Sequence, residues 1–146
     1  MADTVAKIGV LDASVVVKIV VTEAGTAESL EVIERPLRWL APRLMVIEVA
    51  SALRRKAASQ ALSPVNAAAA LDAVLDAVAD GVIGLADDEA LVGAALNLAL
   101  MLNHKVPDCL YLALAEREGA MLVSADRKLL SLARRRGIDV AEIPSA

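Results

Sequence analysis

Phenylalanine is absent from this chain, and Trp39 and Tyr111 are its only aromatic residues. A core without phenylalanine must be aliphatic and rich in alanine, whose small side chain lets helices approach a sheet closely. The same shortage argues against binding single-stranded nucleic acid by stacking bases on aromatic platforms. Cysteine is nearly missing too: Cys109 stands alone, which excludes a disulfide scaffold and a structural zinc site of cysteines. Gly9 is not followed by a glycine-rich turn, so a dinucleotide-binding fingerprint is lacking. Nor is any apolar run long enough for a membrane. The charge-free stretch Ala90 to His104 makes about 22 Å of helix against a hydrocarbon core of ~30 Å. The start, Met1-Ala2-Asp3-Thr4, has no basic segment and Asp12 interrupts the first apolar run, so no signal peptide is expected and a cytoplasmic location is.

What is present suits one domain over 1–146. The 146 residues are 58% hydrophobic and 23% charged, too apolar for a disordered chain. A net charge of -4, from 15 basic and 19 acidic residues, speaks against a general nucleic-acid coat protein. It does not speak against a nuclease, because bound cations neutralise a cluster of carboxylates locally.

Short apolar runs alternate with helical segments. Strands are predicted at 8–11, 37–41, 82–85, 120–124 and 138–143. Helices are predicted at 26–34, 44–60, from Pro64 to Asp80-Gly81, from Asp87 or Asp88 to about Asn103, from Pro107-Asp108 to Gly119, and at 127–136. Ser63 before Pro64 supplies an N-cap with proline at the first helical position. The β-branched run Val15 to Val21 favours a strand by propensity. A strand there would leave no crossover after Leu11, so a short helix is expected. The pattern implies an α/β fold, doubly wound, with a mostly parallel central sheet of about five strands and helices on both faces.

Four acids have unusual neighbours. Asp12 follows the strand Ile8-Gly9-Val10-Leu11, and Asp126 follows Met121-Leu122-Val123-Ser124. Both sit where the carboxyl end of a parallel strand meets a helix, the place at which open α/β sheets bind ligands. Asp108 sits at a helix start between Val106-Pro107 and Cys109-Leu110. Taken singly, Asp12, Asp108 and Asp126 read as ordinary N-caps. Glu48 does not: its neighbours on the helix face, Leu44, Met45, Ser51 and Ala52, offer no cation. A buried, unpaired carboxylate is costly. If the four converge, like charges ~4 Å apart repel by about 4 kcal/mol at an effective dielectric of 20, which a divalent cation would relieve. All-oxygen ligation selects Mg²⁺ or Mn²⁺ over zinc.

The run Val10-Leu11-Asp12-Ala13-Ser14-Val15-Val16-Val17-Lys18 resembles the opening of PIN-domain ribonucleases, specifically VapC toxins of type II toxin–antitoxin modules. So do Ala41-Pro42 with Glu48-Val49-Ala50-Ser51-Ala52-Leu53, the stretch Pro107 to Arg117, and Leu122-Val123-Ser124-Ala125-Asp126-Arg127-Lys128. The resemblance covers essentially the whole chain, with the acids in the family's order. It implies a PIN-like fold and acidic metal-binding, catalytic residues at Asp12, Glu48, Asp108 and Asp126. It also implies hydroxyls at Ser14 and Ser124, a homodimer, and a cognate antitoxin that inserts a segment over the cleft. Cys109 stands where the family often has alanine, and 57–87 carry no family motif.

The expected reaction is metal-dependent hydrolysis of an RNA phosphodiester, with water attacking in line. Asp12 and Asp108 would bind Mg²⁺ or Mn²⁺ directly. Glu48 and Asp126 would complete the ligation, directly or through water, and Ser14 and Ser124 would orient carboxylate or water. Candidate phosphate contacts are Lys18, Arg54, Arg55, Lys56, Arg127 and Lys128, set against the bland reading of basic residues as solvated faces or helix-dipole partners. Arg134, Arg135 and Arg136 take the bland reading. Cys109 reads as a small buried hydrophobe, His104 as a loop or capping residue, and Trp39 and Tyr111 as core or subunit-interface residues. Two alternatives remain: a non-catalytic PIN-like module binding RNA or a partner, and a phosphoaccepting receiver domain. The receiver usually has an adjacent acidic pair after strand one, where this chain has Ala13-Ser14.

Overall fold

The computed structural model describes residues 7–146; Met1 to Thr4, read above as lacking a signal peptide, lie outside them. The described residues run β1 (Ile8–Leu11), α1 (Ala13–Val20), α2 (Thr26–Ile33), β2 (Arg38–Pro42), α3 (Leu44–Ala58), α4 (Pro64–Ala79), β3 (Ile83–Ala86), α5 (Asp88–Leu102), α6 (Val106–Glu118), β4 (Met121–Ser124), α7 (Arg127–Arg135) and β5 (Val140–Glu142). The strands form one five-stranded sheet in the order β3-β2-β1-β4-β5, and every neighbouring pair is parallel. This order differs from the 2-1-3-4-5 order of receiver domains, so the receiver reading fails at the level of topology.

The chain leaves β1 outward through β2 to β3, then returns to β4 and β5 on the other side. Right-handed crossovers therefore put α1 to α4 on one face and α5 to α7 on the other. The direction of travel reverses between β1 and β4. There the register sets Leu11 against Val123, and the Asp12 backbone N–H donates to the Val123 carbonyl at 3.0 Å. The residues that follow the two strands thus emerge side by side.

Local chemistry explains most boundaries. The Ser63 hydroxyl accepts from the Asn66 N–H with Pro64 in the first turn, and Gly119 ends α6 at φ +60°. Asp87, not Asp88, caps α5. Gly9 has a packing reason: a Cβ there would stand 2.3 Å from the ring of Trp39, its partner on β2. The ring lies across the space, and its Nε1 donates to the Ile33 carbonyl at 3.1 Å.

The segment 15–21 is helical through Val20, against its β propensity. Val15, Val16 and Val17 are all buried in α1, so tertiary packing outweighs the modest helix penalty of β-branching. Helix α6 is covered on every side: Asp108 to Ala115 are all buried, between the sheet and α5. A helix hydrophobic all round is a core helix, and here it carries an acid in its first turn. Among the described residues no helix is long and apolar enough to cross a membrane.

Candidate active site

A cleft of about 630 Å³ opens at the carboxyl ends of the central strands. Asp12, Glu48, Asp108 and Asp126 all line it, together with Ser14, Lys18, Glu23, Arg55, Lys56 and Lys105. Residues far apart in sequence are gathered because β1 and β4 end at one edge, while α3 and α6 bring Glu48 and Asp108 to it.

Asp12 is 8% exposed. Its Oδ2 accepts from the Ser14 hydroxyl at 2.6 Å and the Ser124 hydroxyl at 2.7 Å. Each serine oxygen in turn accepts a backbone N–H, from Ala125 at 3.1 Å and Asp126 at 2.9 Å. Those bonds fix the hydroxyls, so both protons point at one carboxylate oxygen. Asp12 stands at the N-cap position of α1, yet its side chain makes no capping bond. The capping reading is therefore corrected for this residue. Burial raises its pKa above the ordinary value; the two hydroxyls oppose that shift, and the charges of Asp108 and Asp126 add to it.

Glu48 departs from expectation. It is half-buried, and its Oε1 accepts from the Tyr111 hydroxyl at 2.5 Å. A buried carboxylate without a partner was the wrong picture, because the partner comes from α6, 63 residues away. Burial again raises its pKa, the Tyr111 bond lowers it, and the charges of Asp12 and Asp108 raise it further. Tyr111, fully buried, keeps its proton: burial and the nearby carboxylates push its pKa far above the usual value.

Asp108 is corrected as well. Lys105 holds the N-cap position of α6, and Asp108 lies in the first turn. Its Oδ2 meets His104 Nε2 at 2.6 Å, and Lys105 Nζ stands 3.8 Å from Oδ1. Asp126 does behave as a cap, its Oδ1 accepting from the N–H groups of Lys128 and Leu129 at 3.0 and 3.2 Å.

The basic candidates separate. Lys18 lines the cleft but is buried, and its ammonium donates to Glu23 and to the Ala24 carbonyl at 2.8 Å, so its charge is already paired within the chain. Lys56 pairs with the other oxygen of Glu23. Arg55 lines the cleft and Arg54 does not. Arg127 is exposed, 3.7 Å from Glu142, and Lys128 borders an adjoining pocket with His104, Lys105, Asp108 and Asp126.

Sequence reasoning missed three roles at this site: Glu23 in the cleft lining, and His104 and Tyr111 as partners of Asp108 and Glu48. An acid-bonding role for Tyr111 had one available signal, since Asp108 and Tyr111 are three apart and share a helix face. Cys109, read as a buried hydrophobe, is indeed fully buried, and burial raises its pKa.

The donor set is hard oxygen, which matches Mg²⁺ or Mn²⁺. Among the described residues no three His, Cys, Asp or Glu groups close into a cage. Such an open arrangement fits an ion that keeps several waters and takes one or two carboxylates directly. Asp12 and Glu48 both feel the charge of Asp108, so the three acids lie near enough to interact. In each carboxylate one oxygen is held by protein donors, and among the described residues none reaches the other within hydrogen-bond distance, the ammonium of Lys105 facing Asp108 Oδ1 at 3.8 Å.

A family model described as PIN domain matches residues 9–135. The crystal structure of PAE2754 from Pyrobaculum aerophilum is similar with a TM-score of 0.70 and 21% identity, over 92% of this chain and 83% of that one. VapBC2 from Rickettsia felis, bound to a DNA fragment from its promoter, is similar with a TM-score of 0.62 and 14% identity, over 93% of this chain and 98% of that one. No curated protein sequence matches.

Proposed function

Because the chain belongs to the PIN domain family, we propose that it is a Mg²⁺- or Mn²⁺-dependent endoribonuclease and the toxin of a type II toxin–antitoxin pair. PIN domains are in general nucleases and typically bind divalent metal. The observation that carries the reading is the set of four carboxylates, Asp12, Glu48, Asp108 and Asp126, on one cleft at the reversal point of a parallel sheet.

Asp12 and Asp108 are the proposed direct ligands, with Glu48 and Asp126 acting directly or through water. A divalent cation held there supplies acidification of a water and charge stabilisation at the reacting phosphate. Ser14 and Ser124 hold Asp12 Oδ2, leaving Oδ1 open to the cleft. Arg55, which lines the cleft, and Lys128, which borders the adjoining pocket with Asp108 and Asp126, are the proposed phosphate contacts. Two further elements of the reading are an antitoxin partner and a homodimer. The similarity to VapBC2 supports the first, and the exposed apolar residues Val92, Leu96 and Leu100 on one face of α5 support a protein contact. The location proposed is cytoplasmic.

One observation favours a second reading, a non-catalytic PIN-like module: the carboxylates do not close into a cage. Mapping RNA ends after brief expression of the chain, beside Asp108→Asn, separates the two. The nuclease reading expects new ends with the parent sequence, none with the variant, and none from purified protein in EDTA. Equal cleavage by both proteins would overturn it.

A further inference from the structure

Two buried side chains outside the acidic set have no task in the cleft as described so far. His104 follows Asn103, whose left-handed backbone (φ +52°) ends α5 and turns the chain back. The His104 N–H donates to the Ala99 carbonyl at 3.0 Å, which anchors the residue, and its side chain is 7% exposed with the ring against Asp108. Tyr111 sits one turn past Asp108 on the same face of α6 and reaches across to α3.

We infer that His104 and Tyr111 are positioning residues, each holding one oxygen of Asp108 and Glu48 respectively so that the other oxygen faces a divalent cation. The inference rests on the nuclease reading above and adds to it two residues that act through the carboxylates. Simple satisfaction of buried polar groups explains why each residue has a partner. It does not explain why both choose an oxygen of a cleft carboxylate, and why each carboxylate keeps one oxygen outside protein hydrogen bonds. Glu48 is on a flexible side chain with three torsions, and nothing else within hydrogen-bond distance among the described residues restrains its carboxylate. The Tyr111 ring, locked in the core, does. Partners of this kind typically set metal affinity by about 10- to 100-fold.

The test is Mn²⁺ alone, titrated into the full chain without RNA and followed by the electron paramagnetic resonance signal of the free ion. Tyr111→Phe removes one hydroxyl and keeps the core packing, while His104→Ala removes the ring. His104→Gln retains a terminal amide that can take the place of Nε2. Tyr111→Phe and His104→Ala should weaken Mn²⁺ binding by about 10- to 100-fold, and His104→Gln should recover most of that loss. Thermal unfolding in EDTA is measured alongside, and circular dichroism confirms that each variant folds. Parent-like Mn²⁺ affinity in folded Tyr111→Phe and His104→Ala, whatever their unfolding temperatures, would make the two residues purely structural and overturn the inference. Absence of Mn²⁺ uptake by the parent chain is a different result: it removes the metal-dependent reading itself, and this inference with it.

Discussion

The β1–α1 and β4–α7 junctions share one local grammar: a buried parallel strand, an aspartate, then a helix. Their aspartates are put to opposite uses. Asp126 turns Oδ1 onto the N–H groups of Lys128 and Leu129 and caps α7. Asp12 ignores the N–H groups of α1 and takes two serine hydroxyls instead. One of those serines, Ser124, belongs to the strand of the other junction, so the second junction supplies part of the first one's site. The capping acid stabilises its helix, typically by about 1 kcal/mol. The other is a buried carboxylate crowded by like charges, an arrangement that lowers stability and is retained where chemistry needs it.

Breaking the Asp12 arrangement has the largest expected effect. Asp12→Asn preserves size and can still accept from Ser14 and Ser124, but it removes the charge proposed to hold a cation. RNA cleavage in Mg²⁺ should fall by more than about 100-fold, beyond the loss typical of an outer partner. Quantifying a labelled RNA over time, with equal amounts of folded protein, checks this. A variant that cleaves at the parent rate would mean that Asp12 plays no part in the reaction.

Stability should move in the opposite direction. The folded pKa of Asp12 lies above its ordinary value of 3.8, mainly through burial. The folded state therefore holds that proton more tightly than the unfolded chain does. The associated stability is complete below about pH 3.8 and is lost as pH rises through the folded value. In EDTA, Asp12→Asn should unfold at a higher temperature than the parent at pH 8, and the gain should shrink toward pH 4. Asp126→Ala should lose about 1 kcal/mol with its cap. Melting curves of the two variants at both pH values measure the contrast. Variants that shift in the same direction at pH 8 would show that the junctions do not differ as described.

Much of this contrast was not written in either junction. The strands, the helices and the convergence of Asp12 with Asp126 follow from alternating apolar runs and the rules of parallel crossovers. The helical state of 15–20 did not follow from propensity and came from topology. What escaped was long-range pairing. Nothing near Glu48 announces Tyr111, because the contact depends on how distant elements pack, and Ser124 was expected beside the acids through the family resemblance alone. The pairing of Lys18, a candidate phosphate contact, escaped for the same reason: Glu23, on the turn after α1, meets its ammonium in a buried position.

That pairing sharpens the comparison further, since a lysine follows each junction. Lys18 in α1 is buried and paired, whereas Lys128 in α7 is exposed beside Asp108 and Asp126. Only a lysine free in solvent can release counterions when it meets a phosphate. With the cleavage-deficient Asp12→Asn background, affinity for a single-stranded RNA measured from low to moderate salt gives the slope of log K against log salt. Lys128→Ala should reduce that slope by about 0.7 and weaken binding a few-fold. Lys18→Ala should leave the slope unchanged while lowering the unfolding temperature, because it removes an internal bond rather than a surface charge. A reduced slope for Lys18→Ala, with none for Lys128→Ala, would mean that RNA binding opens the Lys18–Glu23 pair and enters along α1.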